Sequence, residues 1–322
     1  METRYTSEFL ALKKPILVTG ANRSGTTWVG NILARSPHIK YIPEIFNPSS
    51  GLLRGHPATR FWFHHITEDP EELYRPMLNK IIKGKYPFIN IFRFMDAKKR
   101  FSYKGVRSRF KLFLNSYINH EGRYRFLIKD PIALFSTEWL SKEFNIDILI
   151  TIRHPAAFVY SIKRVNWRFD VDNFLKQRTL MEDYLYPFES KLRKIKEKKM
   201  DIIEEASTLW TCFYHVVNLY RENHPEWIFK KHEDLSLNPI DEFQQICMRL
   251  NIPFSINLQK AIKEFCSSNN PTEAPEKIIH QLKRNSRENI SIWKKRLSQN
   301  EIHRIRNIVD RYSANFYSPA EW

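Results

Sequence analysis

Four short apolar runs rich in β-branched residues stand out along the chain: Ile16 to Thr19, Phe126 to Ile128, Ile146 to Ile152 and Trp227 to Phe229. Runs of this length and composition read as strands. The first stops at Gly20, and from Trp28 to Leu33 the apolar spacing becomes helical, so a strand, a tight loop and a helix follow one another directly. The second and third runs are followed by Pro131 and Pro155, residues suited to the first turn of a helix. Strands alternating with helical stretches predict an α/β, P-loop-like fold of three layers, with a central, mostly parallel sheet flanked by helices.

Further along, Asp170 to Tyr186 and Glu189 to Leu219 read as long, charged helices, with Lys191 to Lys199 on a solvated face. Ser298-Gln-Asn-Glu301 has the spacing of a capping box, opening a helix through Ile302, Ile305, Ile308 and Val309. No repeat or low-complexity linker interrupts the chain. It reads as one domain over residues 1–322, with residues 1–14 as an N-terminal extension within it.

Composition narrows the class. Hydrophobic residues make up 42% and charged residues 27%, which excludes a disordered or fibrous chain. Cys212, Cys247 and Cys266 share no short spacing, so a Cys-x-x-Cys metal or redox site is absent and a reduced, cytoplasmic compartment is expected. His64 and His65 lack a third ligand at metal spacing, and no metal is expected. With 52 Lys and Arg against 35 Asp and Glu, the net charge of +17 calls for an anionic partner. A nucleotide, a nucleic acid, an acidic substrate and peripheral contact with an anionic membrane all satisfy charge alone. Basic runs interleaved with aromatics are missing, which argues against nucleic acid.

The loop after the first strand is more specific. Gly20-Ala-Asn-Arg23-Ser24-Gly25-Thr26-Thr27 has the Gly-x4-Gly spacing of a phosphate loop, where main-chain N–H groups and a helix N-terminus cradle anionic oxygens. A nucleotide kinase, the alternative reading, needs Lys after the second Gly, and Thr26 stands there instead. The cation lies inside the loop, as Arg23.

Arg23-Ser-Gly-Thr-Thr-Trp28 resembles the 5′-phosphosulfate loop of sulfotransferases that use 3′-phosphoadenosine-5′-phosphosulfate (PAPS), and the Arg is the form found in glycan and tyrosylprotein members. Arg153-His-Pro155, with Ser161 beyond it, is similar to the family's 3′-phosphate site. Phe229 to Leu235, ending Glu-Asp-Leu, resembles a later family segment. Ser286-Arg287, followed by Trp293-Lys294 and Leu297, resembles the C-terminal nucleotide motif without its glycine.

The resemblance implies PAPS as co-substrate, 3′,5′-bisphosphoadenosine as product, and in-line transfer of the sulfuryl group to an acceptor hydroxyl. Ser24, Gly25, Thr26, Thr27 and Trp28 would hold the 5′ end, with Arg23 on the leaving oxygen. Arg153 and Ser161 would hold the 3′-phosphate, aided by Arg287 and Trp293. Lys129 would contact the moving group. Cytosolic members place a catalytic His where this chain reads Lys129-Asp130-Pro131, so Glu44, in Tyr41-Ile-Pro-Glu44, becomes the candidate base, with Asp130 and His65 as alternatives. The Glu44 pattern points to a carbohydrate or glycolipid acceptor, with a peptide tyrosine or small phenol as the open alternatives. Residues 50–125 and 165–210 would shape its pocket, with Arg54, Arg60, Arg107 and Arg109 available to an acidic substrate.

Overall fold

The computed structural model of the chain describes residues 14–69, 72–82, 124–273 and 281–322. Its centre is a sheet of five strands: β1 (Ile16–Gly20), β2 (Ile39–Pro43), β3 (Arg125–Lys129), β4 (Asp147–Ile152) and β5 (Ile228–Lys231). They lie in the order β2-β3-β1-β4-β5, and every pairing is parallel. Four of them coincide with the apolar runs. The fifth, β2, carries no such signal, because at the sheet edge it is only half buried and tolerates Lys40 and Tyr41.

The helices that frame the site are α1 (Thr26–Leu33), α2 (Pro155–Arg164), α3 (Ile202–Asn223), α4 (His232–Leu237), α5 (Pro239–Arg249), α6 (Ile256–Cys266), α7 (Ser286–Asn289) and α8 (Gln299–Ser313). Alternation along the strands divides the core into two clusters. Ile16, Val18, Leu127 and Leu149 face α1, α5 and α6 through Val29, Ile32, Phe243 and Ile262. Leu17, Ile128, Ile148 and Ile150 face α2, α3 and α8 through Phe158, Phe213, Val217 and Val309. The result is the three-layer arrangement expected.

Two of the expected long helices are interrupted. Between Asp170 and Tyr186 the backbone forms short turns, including a π-helical one at Met181–Leu185, and Pro187 prevents their fusion with the next helix. The second stretch ends at Lys196, passes through left-handed Lys198, and restarts where Asp201 and Glu204 form a capping box at the head of α3. The Ser298–Glu301 capping box is present, Ser298 Oγ accepting from the Glu301 N–H at 3.2 Å. Residues 1–13 of the N-terminal extension, and Arg107 and Arg109, lie outside the described residues. Among the described residues no helix is long and apolar enough to cross a membrane.

Topology decides where chemistry can sit. The chain builds β2 and β3 on one side of β1 and then crosses to β4 and β5 on the other. The carboxyl ends of β3, β1 and β4 therefore open on the crevice where the strand order reverses, the usual ligand edge of such a sheet.

Candidate active site

The phosphate loop leaves β1 at that edge with an unusual backbone. Arg23 and Gly25 both lie in the left-handed region, at φ 68° and 98°. Gly25 caps α1 without any side-chain bond to the helix, and the first N–H of α1 bonded back along the chain is that of Val29, to the Gly25 carbonyl at 3.1 Å. The amides of Thr26, Thr27 and Trp28 are thus left for an anion, at the positive end of the helix dipole. Ser24 Oγ, by contrast, is buried against Thr151 Oγ1 at 2.7 Å, so it fastens the loop to β4.

Arg153 follows β4 directly, and its main chain is held on both sides. Its N–H donates to Tyr214 Oη at 2.7 Å, and its carbonyl accepts from Trp210 Nε1 at 3.0 Å. The next residue, His154, caps α2 by accepting from the Ala156 N–H, while its own N–H donates to Glu233 Oε1 at 3.0 Å. The guanidinium then reaches across the loop, Nη1 donating to the Arg23 carbonyl at 2.7 Å. Arg23 Nε in turn donates to Ser161 Oγ on α2 at 2.9 Å. Arg284, just before α7, completes a group of cations around one cleft of about 190 Å³.

These guanidiniums crowd one another. Burial, followed by the charges of Arg153, Arg284 and Arg164, brings Arg23 down to about 10. Burial, then Arg153 and Arg164, brings Arg284 to about 10 as well. Arg153 is also lowered by burial, against the pull of Glu233. A multiply charged anion would relieve this repulsion. Of the ten buried side-chain polar atoms without a hydrogen-bond partner among the described residues, four, Arg153 Nε, His232 Nδ1, Asn22 Oδ1 and Gln281 Oε1, belong to residues that line the cleft. Burial and the neighbouring arginines keep His232 neutral. A lining that offers donors and acceptors beside concentrated positive charge fits a nucleotide with anionic groups.

At the end of β3, the ammonium of Lys129 lies on Glu44 Oε1, while Oε2 accepts from Asn47 Nδ2 at 2.8 Å. Lys129 is buried and Glu44 lines the cleft. Of the three candidate bases, Glu44 alone lines it. Asp130 is fully buried, with Oδ2 accepting from the Phe46 N–H and Oδ1 from the Ile132 N–H. Its carboxyl is pushed up to about 7 by burial, partly opposed by the Phe46 N–H. It shapes the turn from β3 and does not face the cleft. His65 is tied at Nδ1 to the Phe135 carbonyl and at Nε2 to Asp183, both at 2.7 Å, away from the cleft.

Thr26, Thr27 and Trp28 line the cleft, Trp28 edge-on to His232 at 5.2 Å. Arg287 and Trp293 do not. Arg287 is exposed and donates to the Leu237 carbonyl, whereas Trp293 is buried in a parallel stack on His154 at 4.8 Å. The same segment reaches the cleft instead through Arg284, Ser286 and Asn289. Arg54 and Arg60 lie outside its lining. His232 and Arg284 were not legible as site residues, although His232 lies inside the Phe229 to Leu235 segment and Arg284 two residues before Ser286. Among the described residues, no three His, Cys, Asp or Glu side chains converge as a metal site would require.

No curated protein sequence matches the chain. Among solved structures it is similar to the sulfotransferase domain from the curacin biosynthetic pathway, at 16% identity over 93% of this chain and 98% of that one, with a TM-score of 0.46. A second similar structure is the sulfotransferase domain from the Synechococcus PCC 7002 olefin synthase, at 15% identity over 95% and 97%, with a TM-score of 0.47. The model of the sulfotransferase family matches residues 15–255. That span takes in all five strands, the phosphate loop, Glu44, Lys129 and Arg153. The chain belongs to the sulfotransferase family.

Proposed function

We propose that this sulfotransferase takes its sulfuryl group from PAPS and delivers it to the hydroxyl of a carbohydrate or glycolipid. The observation that carries the donor reading is the gathering of Arg23, Arg153 and Arg284 at one cleft, where buried polar atoms lack partners beside an open helix N-terminus. In this reading the amides of Thr26 to Trp28 bind the 5′ end, Arg153 and Ser161 bind the 3′-phosphate, and Arg284 adds to the same field.

Transfer requires the acceptor oxygen, the sulfur and the leaving phosphate oxygen to lie roughly in line. As the new O–S bond forms and the old one breaks, the acceptor proton passes to a Glu44 oxygen, and the leaving phosphate keeps the electron pair of the broken bond. Lys129 and Arg23 supply positive charge to the moving group and the leaving oxygen. An aliphatic hydroxyl is hardly ionised at neutral pH and depends on a base in contact, which Glu44 at the cleft supplies. A phenol depends on such a base less, so this arrangement favours an alcohol.

Calorimetric titration tests the donor assignment. The expected result is saturable binding of 3′,5′-bisphosphoadenosine that ATP does not match, weakened about a hundredfold by Arg153→Ala. Equal binding of ATP would remove the 3′-phosphate from the account. Screening acceptor classes with PAPS, read by product mass, tests the second half; sulfation of tyrosyl peptides or phenols, with alcohols left untouched, would overturn it.

A further inference from the structure

The loop that follows β2 is built around one amide. Asn47 is nearly buried, and its Oδ1 accepts from the N–H groups of Ser49 at 2.9 Å and Ser50 at 3.1 Å. Two donors at one end of the carboxamide fix its orientation, because the NH2 end cannot face them. Nδ2 is therefore directed outward, and it donates to Glu44 Oε2 at 2.8 Å. The main chain reinforces this geometry. The Gly51 N–H donates to the Asn47 carbonyl at 2.8 Å, and a Cβ on Gly51 would lie 2.5 Å from the Glu44 carbonyl oxygen. Glu44 itself is held in the left-handed region, at φ 36°.

We propose that Asn47 is the positioning residue for Glu44, its side-chain amide orienting the carboxylate and favouring the ionised form that can accept a proton. Asn47 is absent from the cleft lining, so it acts through Glu44. The inference rests on the reading of Glu44 as base, but the coupling between the two side chains can be measured without it. An N–H aimed at Oε2 stabilises a carboxylate and opposes a proton on that oxygen. Lys129 acts in the same sense on Oε1, whereas Asp130, beneath the loop, repels Glu44. The Tyr41 phenol on β2 also faces Glu44, and burial followed by the Glu44 charge raises it.

Asn47→Asp keeps the turn and changes what Glu44 meets. An Asp carboxylate accepts from the Ser49 and Ser50 amides as Asn does, so the turn survives. Towards Glu44, however, it presents an oxygen in place of an N–H. The pair then competes for one proton and the Glu44 titration moves up. The measurement is a pH titration of side-chain carboxyl carbons by NMR, with the Glu44 signal assigned from its loss in Glu44→Gln. A rise of about one pH unit or more is expected in Asn47→Asp, with the thermal midpoint kept. Like charge alone lifts Glu44 there, so the discriminating variant is the uncharged Asn47→Ser, for which a purely structural role predicts no movement. Its hydroxyl can hold the turn but is too short to reach Glu44, and positioning predicts a smaller rise. An unmoved Glu44 midpoint in Asn47→Ser would overturn the proposal. Release of 3′,5′-bisphosphoadenosine from PAPS with water as acceptor, followed across pH in the same variants, tests the base reading separately: the acid limb follows the Glu44 midpoint if Glu44 is the base and ignores it if it is not.

Discussion

Ser161 Oγ accepts a hydrogen bond from Arg23 Nε at 2.9 Å, which joins two residues that the sequence motifs assign to opposite ends of the donor. The left-handed backbone at Arg23 sends its side chain across the loop to α2, while Arg153 anchors the same residue by its carbonyl. The two proposed anion sites therefore belong to one connected hydrogen-bond network. An incoming 3′-phosphate oxygen at Ser161 would compete with Arg23 for that hydroxyl, so occupation of one site bears on the cation of the other.

Ser161→Ala should weaken 3′,5′-bisphosphoadenosine about tenfold, the worth of a hydrogen bond to a charged group, while adenosine 5′-phosphate binds as before. Calorimetry with both ligands gives the comparison. Equal weakening of the two would mean that Ser161 serves the loop through Arg23 and not the 3′-phosphate.

Gly25 has two reasons to be glycine. Its φ of 98° is costly for any side chain, and a Cβ there would sit 2.5 Å from His232 Nδ1. Gly25→Ala is expected to lower stability by about 2 kcal/mol or more and to abolish detectable bisphosphate binding. Adding His232→Ala removes the clash but not the backbone strain, so denaturant titration of the double variant should recover only part of the loss.

The pairing of buried Lys129 with Glu44 predicts non-additive substitutions. Glu44→Gln leaves an ammonium, on a side chain 4% exposed, without its carboxylate. This should cost about 2 kcal/mol, below the full penalty for a buried pair because Glu44 retains some solvent. Lys129→Met in the Glu44→Gln background should restore stability, whereas in the native background it should not. A coupling energy near zero in the denaturation cycle would show that the pair contributes nothing.

His154 carries a pH signature. Burial, reinforced by Lys294 and Lys231, lowers its pKa to about 3, while the unfolded chain binds the proton near the usual 6.5. Between those values the unfolded state holds the extra proton, so this residue makes folding less favourable as pH falls from 6.5 towards 3. His154→Phe keeps the stack on Trp293 and loses the helix cap, so wild type should be the more stable protein at pH 7.5. By pH 5 that advantage should shrink by about 2 kcal/mol. A constant difference across urea titrations at the two pH values would contradict a neutral, buried His154.

Local order along the chain determined four strands, the phosphate loop, the arginine after β4 and the Ser298 capping box, because each depends on neighbours a few residues away. An apolar run, a glycine at a turn or a Ser-x-x-Glu spacing carries its physics with it. Other features depend on partners distant in the chain. The edge strand β2 is half buried and pairs only with β3, so no periodicity marks it. His232 and Arg284 reach the cleft because α4 and the segment before α7 pack beside the loop. The choice among Glu44, Asp130 and His65 was likewise tertiary. All three are titratable residues near plausible turns, but Asp130 is taken by two amides and His65 by Phe135 and Asp183, which leaves Glu44 facing the cleft. Sequence specifies which groups can do chemistry; burial and hydrogen bonding between residues more than 80 positions apart in the chain decide which of them lines the cleft.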